Sequence, residues 1–209
     1  MKQRIMTISI LILVLALFGC TEDGIITPGD LNGDKYHDKD MQILEEIVAL
    51  NNLDVESAKD IAGWNFFEYP LRAWRLDLEG RGVTELPSSM VELTELQRIK
   101  AAFNSLTSLP HNIGESTKLL YLDIENNSIS ELPSSFASLD SLETLNISSN
   151  LLEVVPSQLE HLENLKYVDL SGNQLYCTGG VQDSSQIPDY IFDNSIGYVL
   201  GVFEQNCGD

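Results

Sequence analysis

The sequence predicts an α/β solenoid in which about five short parallel strands, one from each of a series of repeated units, line one face. The first observation behind this prediction is a repeat of apolar residues every 23 residues, set by Leu96, Leu119, Leu142 and Leu165. The second is an alternation of apolar and polar residues within each unit, which indicates a short strand with one buried face. Because one unit cannot bury its apolar face alone, neighbouring units must stack.

The elements of one unit follow from the order of its apolar residues, which is clearest in the third unit. That unit reads Leu119, Leu122, Ile124, Asn127, Ile129, Leu132, Pro133, Phe136 and Leu139. Leu122 and Ile124 form the strand. Asn127 ends it, because its amide can pair with buried backbone groups that would each cost about 1–3 kcal/mol if unpaired. The Leu-Pro step then turns the chain to the convex side, where a short 3₁₀ or helical segment buries Phe136 and Leu139.

This pattern resembles that of leucine-rich repeat proteins, in the short subtype with a 23-residue period. The resemblance covers residues 73–176. The first unit is degenerate, with Arg81 in place of the asparagine, and the truncated fifth unit begins at Leu165. The resemblance implies a concave face lined by strands and a convex face of short segments.

Two flanking segments are expected to cover the ends of the array, because an open solenoid exposes apolar core at each end. Residues 30–72 include a predicted helix over 41–50 and four aromatic residues placed to cover the first unit. These are Trp64, Phe66, Phe67 and Tyr69. Residues 177–209 are expected to close the other end, with a disulfide between Cys177 and Cys207 in an exported protein. Two free thiols are the alternative.

The first 19 residues have the pattern of an export signal rather than of a folded element. A short basic segment precedes the apolar run Ile5–Phe18, which is shorter than the roughly 20 residues of a transmembrane helix. The run ends in a Leu-Phe-Gly-Cys sequence that resembles a bacterial lipobox. This implies cleavage before Cys20, acylation of its thiol and a tether over residues 20–29, which places the protein on the outer membrane or cell surface. An ordinary secretory signal with an incidental cysteine is the alternative.

An acidic stretch after the tether carries oxygen ligands at the spacing of a cation-binding loop. Its candidate ligands for Ca²⁺ are Asp30, Asn32, Asp34, Asp38 and Asp40. Oxygen ligands at alternate positions can converge on one cation, as at the start of an EF-hand loop. The stretch resembles the calcium-binding half-motif of a dockerin, which implies that Asp40 closes the loop, although the sixth-position glycine and the second half-motif are missing. The alternative is an acidic turn without metal, in which Asp38 or Asp40 caps the helix.

The acidic composition narrows the function classes. The chain has 12 basic and 32 acidic residues, a net charge of −20 and a pI near 4.2. Nucleic acid is not an expected partner, because phosphate binding needs clustered Lys and Arg. The three histidines, His37, His111 and His161, are far apart, and the sequence contains no hydrolase, zinc-protease or phosphate-loop motif. We therefore predict that the protein is not an enzyme.

The candidate partner-binding residues lie on the predicted concave face. Equivalent positions across the units form columns of exposed side chains, and aromatic and arginine residues in such columns are typical of interfaces. The candidates are Trp74, Arg75, Arg98, Phe103, Tyr121, Asp123 and Tyr167. The alternative for Arg98 is an ion pair with Asp77 or Asp123 on a neighbouring strand.

Together these patterns predict a monomeric, lipid-anchored binding module of the cell envelope, with Ca²⁺ as its expected cofactor. Its concave face would recognise an extracellular protein or glycan. The alternative is a structural envelope lipoprotein, in which the calcium loop and the lipid anchor matter and the concave face has no ligand.

Overall fold

The computed structural model of the 209-residue chain describes residues 20–21, 24–25, 35–66, 69–178, 181–182 and 199–201. In these residues the α-helix is α1 (Asp38–Asn51). The strands are β1 (Cys20–Thr21), β2 (Gly24–Ile25), β3 (Ala62–Asn65), β4 (Arg72–Asp77), β5 (Arg98–Lys100), β6 (Tyr121–Asp123), β7 (Thr144–Asn146), β8 (Tyr167–Asp169), β9 (Cys177–Thr178), β10 (Val181–Gln182) and β11 (Val199–Leu200). The 3₁₀ segments are Ala58–Ile61, Ser88–Glu92, Ile113–Glu115, Ser134–Ser138 and Ser157–His161.

The predicted solenoid with its parallel sheet is confirmed by strands β4 to β8. Each strand pairs in parallel with the next at a constant offset of 23 residues, so that equivalent side chains lie side by side. One such column holds Arg75, Arg98, Tyr121, Thr144 and Tyr167. The sequence period therefore gives the strand register directly.

Two further strands extend the sheet to seven, and the repeat pattern gives no sign of them. β3 pairs antiparallel with β4 at one edge, and β11 pairs in parallel with β8 at the other. The β3–β4 pairing contains a bulge, because Gly63 lies opposite Arg75 whereas Trp64 lies opposite Ala73. Trp74 is the additional residue, and it lies in the predicted partner-binding set.

One continuous apolar core lies between the sheet and the convex segments. One inward-facing residue of each repeat strand, at equivalent positions in the sheet, is fully buried, namely Leu76, Ile99, Leu122, Leu145 and Val168. On the convex side, Pro87, Pro133 and Pro156 each come directly before a 3₁₀ segment, where the fixed φ of proline suits the turn and no N–H is needed. Phe136 and Leu139 are fully buried behind this step, as the sequence predicts.

The predicted asparagine ladder is present in the second to fifth units, at Asn104, Asn127, Asn150 and Asn173. The Asn127 side-chain amide donates to the backbone oxygens of Ala101 and Ile124, at 2.9 and 3.0 Å. Its side-chain oxygen accepts the backbone N–H of Leu106 at 2.9 Å. Each asparagine therefore joins its own strand to the preceding repeat.

Helix α1 packs on the first repeat through Ile43, Leu44 and Ile47, which belong to the same core. The helix begins at Asp38, and its N-cap is His37 without a side-chain hydrogen bond. The expectation that Asp38 or Asp40 caps the helix is therefore wrong. Both aspartates lie in the first turn, where negative charge complements the helix dipole.

The aromatic residues before the first repeat do not all cover it. Trp64 is half-buried against the core and packs on the Tyr36 ring, with 4.5 Å between centroids. Phe66 and Tyr69 instead leave 79% and 54% of their surface exposed, so the expectation that they cover the first unit is wrong. Phe67 lies outside the described residues.

The structure does not test several predictions about the two termini. The signal peptide and most of the tether lie outside the described residues, as does Cys207, so the lipid anchor and the disulfide from Cys177 stay predictions. Cys177 lies in β9, which pairs antiparallel with β10. Within the described residues, no helix combines the length and the apolar character needed to cross a membrane.

Candidate functional site: the concave face

The concave face is the outer side of β4 to β8, with side chains in columns across the strands. Neighbouring strands lie about 4.8 Å apart, so the five repeat strands span about 20 Å. The predicted residues are distributed unevenly over this width. Trp74, Arg75, Arg98, Tyr121 and Asp123 lie on β4, β5 and β6, at the end of the sheet that carries α1.

The centre of this surface is a stacked pair of Arg98 and Tyr121 on adjacent strands. The guanidinium carbon of Arg98 lies 4.5 Å from the centroid of the Tyr121 ring, and this arrangement is a cation–π contact. The Tyr121 hydroxyl donates to Asp123 Oδ2 at 3.2 Å. Burial raises the pKa of the Tyr121 phenol, and the charge of Asp123 raises it further, whereas Arg98 acts in the opposite direction. The alternative, in which Arg98 pairs with Asp77 or Asp123, is not the arrangement observed.

A second cluster lies at the bulge in β4, where Trp74 and Arg75 are consecutive. The Arg75 guanidinium carbon lies 5.5 Å from the Trp74 ring centroid, and Nη2 forms a 2.6 Å ion pair with Asp77 Oδ2. Asp77 is therefore the partner of Arg75 on its own strand rather than of Arg98. A cleft of about 500 Å³ lies beside this cluster and extends to β3.

Phe103 lies immediately beyond β5 with 50% of its surface exposed and a left-handed backbone, φ +57°. The equivalent residues of the other units also have positive φ, and they are Gly80, Asn126, Ser149 and Gly172. Phenylalanine is the bulkiest residue in this column, and a positive φ is unfavourable for a large side chain. A cleft of about 450 Å³ lies beside it, lined also by Glu79, Arg81 and Lys100.

Tyr167 does not join these clusters. It lies on β8, and β7 with Thr144 separates it from Tyr121. Its hydroxyl lies 3.5 Å from Asp169 Oδ2, which repeats the Tyr121–Asp123 arrangement two strands away. The structure therefore divides the predicted site into an aromatic and cationic part at the β4 end and a separate tyrosine at the β8 end.

Comparison with known families agrees with this architecture. Residues 94–152 and 117–175 match the family described as leucine rich repeat, and residues 164–194 match a second leucine rich repeat family. The chain carries leucine-rich repeats. Proteins with this domain are typically protein-binding scaffolds rather than enzymes. No curated protein matches the chain.

Solved leucine-rich repeat structures resemble the chain at low sequence identity. The ectodomain of the receptor kinase SOBIR1 from Arabidopsis thaliana has a TM-score of 0.54 and 22% identity, covering 67% of this chain and 96% of its own. The Arabidopsis thaliana BIR2 ectodomain has a TM-score of 0.51 and 23% identity, covering 68% and 72% respectively. An internalin from Listeria monocytogenes has a TM-score of 0.48 and 23% identity, covering 59% and 33%. The two ectodomains support the fold alone.

The predicted calcium ligands are only partly within the described residues. Asp30, Asn32 and Asp34 lie outside them. Asp40 is fully buried, and its oxygens accept hydrogen bonds from Arg72 Nε and Nη2, both at 3.0 Å. This disagrees with a role for Asp40 in closing a Ca²⁺ loop, because both oxygens already bind protein donors. Asp38 lies in the first turn of α1. In the described part of the chain, no cluster of three or more candidate metal ligands occurs.

Sequence analysis missed several residues beside the predicted site. Phe66 and Gln97 line the cleft at Trp74, and Glu79, Arg81 and Lys100 line the cleft at Phe103. Gln97 shares a column with Trp74, and Lys100 shares a column with Asp123. Glu79 belongs to the column one position before that of Phe103, so the repeat offset was a sufficient signal for all three. Phe66 lies before the repeats and has no such signal.

Proposed function

We propose that the chain is a non-catalytic binding module that recognises a protein partner with the β4–β6 half of its concave face. The single observation that carries this proposal is the half-buried stack of Arg98 on Tyr121, flanked by the Trp74–Arg75 pair. Aromatic and arginine side chains are the residues most enriched among those that dominate interface binding energy. The leucine-rich repeats support the same class of function, since they are typical of protein-binding modules.

The position of Phe103 is the second support. A left-handed backbone and a half-exposed ring are both unfavourable in the free protein. A partner that covers the ring would remove the second of these costs. The adjacent cleft contains both charge signs, from Glu79 and Lys100, which suits a polypeptide surface with mixed side chains.

The cellular setting is part of the same proposal. We propose that the mature chain begins at Cys20 and is held in the cell envelope by lipid on that residue. In the same setting, α1 and the chain after Cys177 would act as the caps of the array, with the Cys177–Cys207 disulfide closing the second cap. The loop over Asp30, Asn32 and Asp34 stays a proposed Ca²⁺ site that would stiffen the join between tether and domain.

The decisive experiment compares partner capture by two variants of the concave face. The native chain, an Arg98→Glu/Tyr121→Ala variant and a Tyr167→Ala variant are each used to capture proteins from an envelope extract, with a glycan panel in parallel. We expect a protein that the native chain and the Tyr167→Ala variant retain and that the double variant loses.

Urea unfolding of each variant provides the control for folding, because a folding defect would also abolish capture. Equal capture by the native chain and by a folded double variant would contradict the proposal. Binding only to a glycan would replace the protein partner by a carbohydrate. Loss with Tyr167→Ala alone would move the site to the β8 end. Repeating the capture with a chelator tests the proposed calcium loop separately.

A further inference from the structure

The first seam of the array, between repeats 73–95 and 96–118, is incompletely packed on the convex side. Ser116 occupies a position at which the other three complete units carry buried leucines, namely Leu93, Leu139 and Leu162. Ser116 is itself only 7% exposed, and among the described residues its hydroxyl has no hydrogen-bond partner. A short polar side chain therefore stands where apolar packing is expected, and its hydroxyl gains no bond in return.

Unfilled space lies on both convex corners of this seam. A cavity of about 70 Å³ lies between Leu93 of the first unit and Ser116 of the second. A cleft of about 340 Å³ lies at the other corner, between Glu85 and His111. Asn112 Oδ1 is also buried without a hydrogen-bond partner in the described residues. The convex side of one seam thus combines missing apolar contacts with two unsatisfied polar atoms.

The convex segment of the second unit instead packs closely on that of the third unit. Gly114 allows this approach, because a Cβ there would overlap the backbone carbonyl of Ser135. The segment Ile113–Glu115 accordingly packs more extensively on Ser134–Ser138 than on Ser88–Glu92. The second seam, between repeats two and three, is therefore tight where the first seam is loose.

The concave side of the first seam is continuous. The backbone N–H of Leu78 donates to the oxygen of Lys100 at 2.7 Å, and that of Gln97 donates to the oxygen of Trp74 at 2.8 Å. These bonds belong to the parallel pairing of β4 with β5. Two blocks that are hydrogen-bonded along one side and loosely packed along the other can tilt about the bonded side.

We propose that the first seam is a hinge, at which α1 and the first repeat tilt as one block about the β4–β5 pairing. The Asp40–Arg72 ion pair and the bonds from Asn51 to the first repeat hold α1 within this block. Both concave clefts have walls on each side of the seam, so the tilt changes their width. The hinge would let the concave face adjust its shape, but its existence does not depend on a partner.

The first test measures amide hydrogen exchange of the full chain by NMR, corrected for intrinsic rates. Beyond the strands, the N–H groups of Val83 and Ser105 donate across the first seam, and those of Leu106 and Ser128 make the equivalent bonds across the second. We expect Val83 and Ser105 to exchange at least about tenfold faster than their equivalents, because the first seam opens more often. Equal exchange at the two seams would overturn the hinge.

A second set of amides distinguishes a hinge from fraying of the whole first repeat. Leu78 and Gln97 donate across the first seam within the sheet, and Ala101 and Leu120 make the equivalent bonds across the second. A hinge should leave all four with similar slow exchange, because the axis of the tilt stays bonded. If Leu78 and Gln97 exchange faster by the same factor as Val83, the first repeat detaches as a whole and the hinge is wrong.

Variants at Ser116 then test the cause of the opening. Ser116→Leu restores the leucine of the other units, and it should slow exchange at Val83 and Ser105 about tenfold. Ser116→Ala removes the hydroxyl without filling the cavity and should change these rates less than about threefold. Ser157→Leu, an exposed change in the fourth convex segment, should leave them within about twofold.

Unchanged exchange at Val83 and Ser105 in a folded Ser116→Leu variant would show that the missing packing does not open the seam, which contradicts the hinge. If Ser116→Leu does not fold, the comparison of the two seams in the native chain still decides, since it needs no substitution.

Discussion

Contacts between neighbouring repeats and contacts between α1 and the first repeat satisfy similar backbone groups with different side chains. Between repeats, Asn127 and its equivalents recur at the same position in the second to fifth units. At the α1 junction, Asp40 accepts the backbone N–H of Ala73 at 2.8 Å. Asn51 accepts the backbone N–H groups of Thr84 and Glu85, at 2.8 and 3.1 Å.

The two regions differ in how much of the stability of the contact depends on a single residue. The ladder is shared among four asparagines, and each makes equivalent bonds to its own strand and to the preceding repeat. The junction depends on single residues, and one of them, Asp40, is a fully buried carboxylate paired with Arg72. Removing one member of a buried ion pair leaves an uncompensated buried charge, which is more unfavourable than losing a neutral hydrogen bond.

The largest expected effect is therefore at the junction. Asp40→Ala leaves the Arg72 guanidinium, whose side chain is only 18% exposed, without its carboxylate and leaves the Ala73 N–H unpaired. We expect the free energy of unfolding to fall by about 3–5 kcal/mol, measured by urea denaturation. Glu45→Ala, an exposed change on the same helix, should stay within about 0.5 kcal/mol.

A double variant keeps this prediction testable if Asp40→Ala does not fold. Asp40→Leu with Arg72→Met removes both charges and should recover part of the lost stability. A loss below about 1 kcal/mol for Asp40→Ala would contradict the idea that the junction depends on this pair.

The next effect is expected within the ladder and should depend on burial. Asn127→Ala removes donors to Ala101 and Ile124 and the acceptor of the Leu106 N–H. Because these groups become unpaired in the interior, we expect a loss of about 2–3 kcal/mol in urea unfolding. Asn104→Ala should lose about 1 kcal/mol, since Asn104 is half-buried and water can replace part of its bonding. Equal losses at the two positions would contradict the dependence on burial.

A third variant tests a close backbone contact between two neighbouring repeats. Gly114 lies in the 3₁₀ segment Ile113–Glu115, and a Cβ there would overlap the backbone carbonyl of Ser135 in the next unit. We expect Gly114→Ala to destabilise the protein by about 2 kcal/mol in urea unfolding, because backbone cannot easily move away. Ser134→Ala, an exposed change in the facing 3₁₀ segment, should stay within about 0.5 kcal/mol. Stabilisation by Gly114→Ala, the usual result where alanine fits, would contradict the overlap.

The sequence predicted the parts of the fold that repeat. The spacing of Leu122 and its equivalents was enough to give the strands, their register and the asparagine ladder, because each position is sampled several times. The same spacing predicted that Arg98 and Tyr121 lie side by side. Their stacking was not predicted, since a carboxylate was an equally reasonable partner for Arg98.

Contacts that are not repeated from unit to unit could not be predicted from the sequence period. The pairing of Asp40 with Arg72 joins residues 32 positions apart, and nothing local distinguishes a buried structural aspartate from a calcium ligand or a helix cap. β3 was missed because Ala62–Asn65 is short and lacks an alternating apolar pattern. Phe66 was expected to be buried because aromatic residues usually favour the core, yet the edge strand places it in solvent.

The smallest expected effect concerns the concave surface and its dependence on pH. Tyr121 has a raised pKa, caused first by burial and then by Asp123. The folded state holds the phenol proton to a higher pH than the unfolded state does. The contribution of this proton to stability is therefore complete below the unfolded pKa near 10.0, and it is lost as the pH rises through the folded pKa. The native chain should therefore lose stability relative to Tyr121→Phe only above about pH 10. Urea unfolding of both chains between pH 8 and 11 measures this difference. A difference that stays constant across this range would contradict a raised pKa of the Tyr121 phenol in the folded chain, and with it the burial of this hydroxyl beside Asp123.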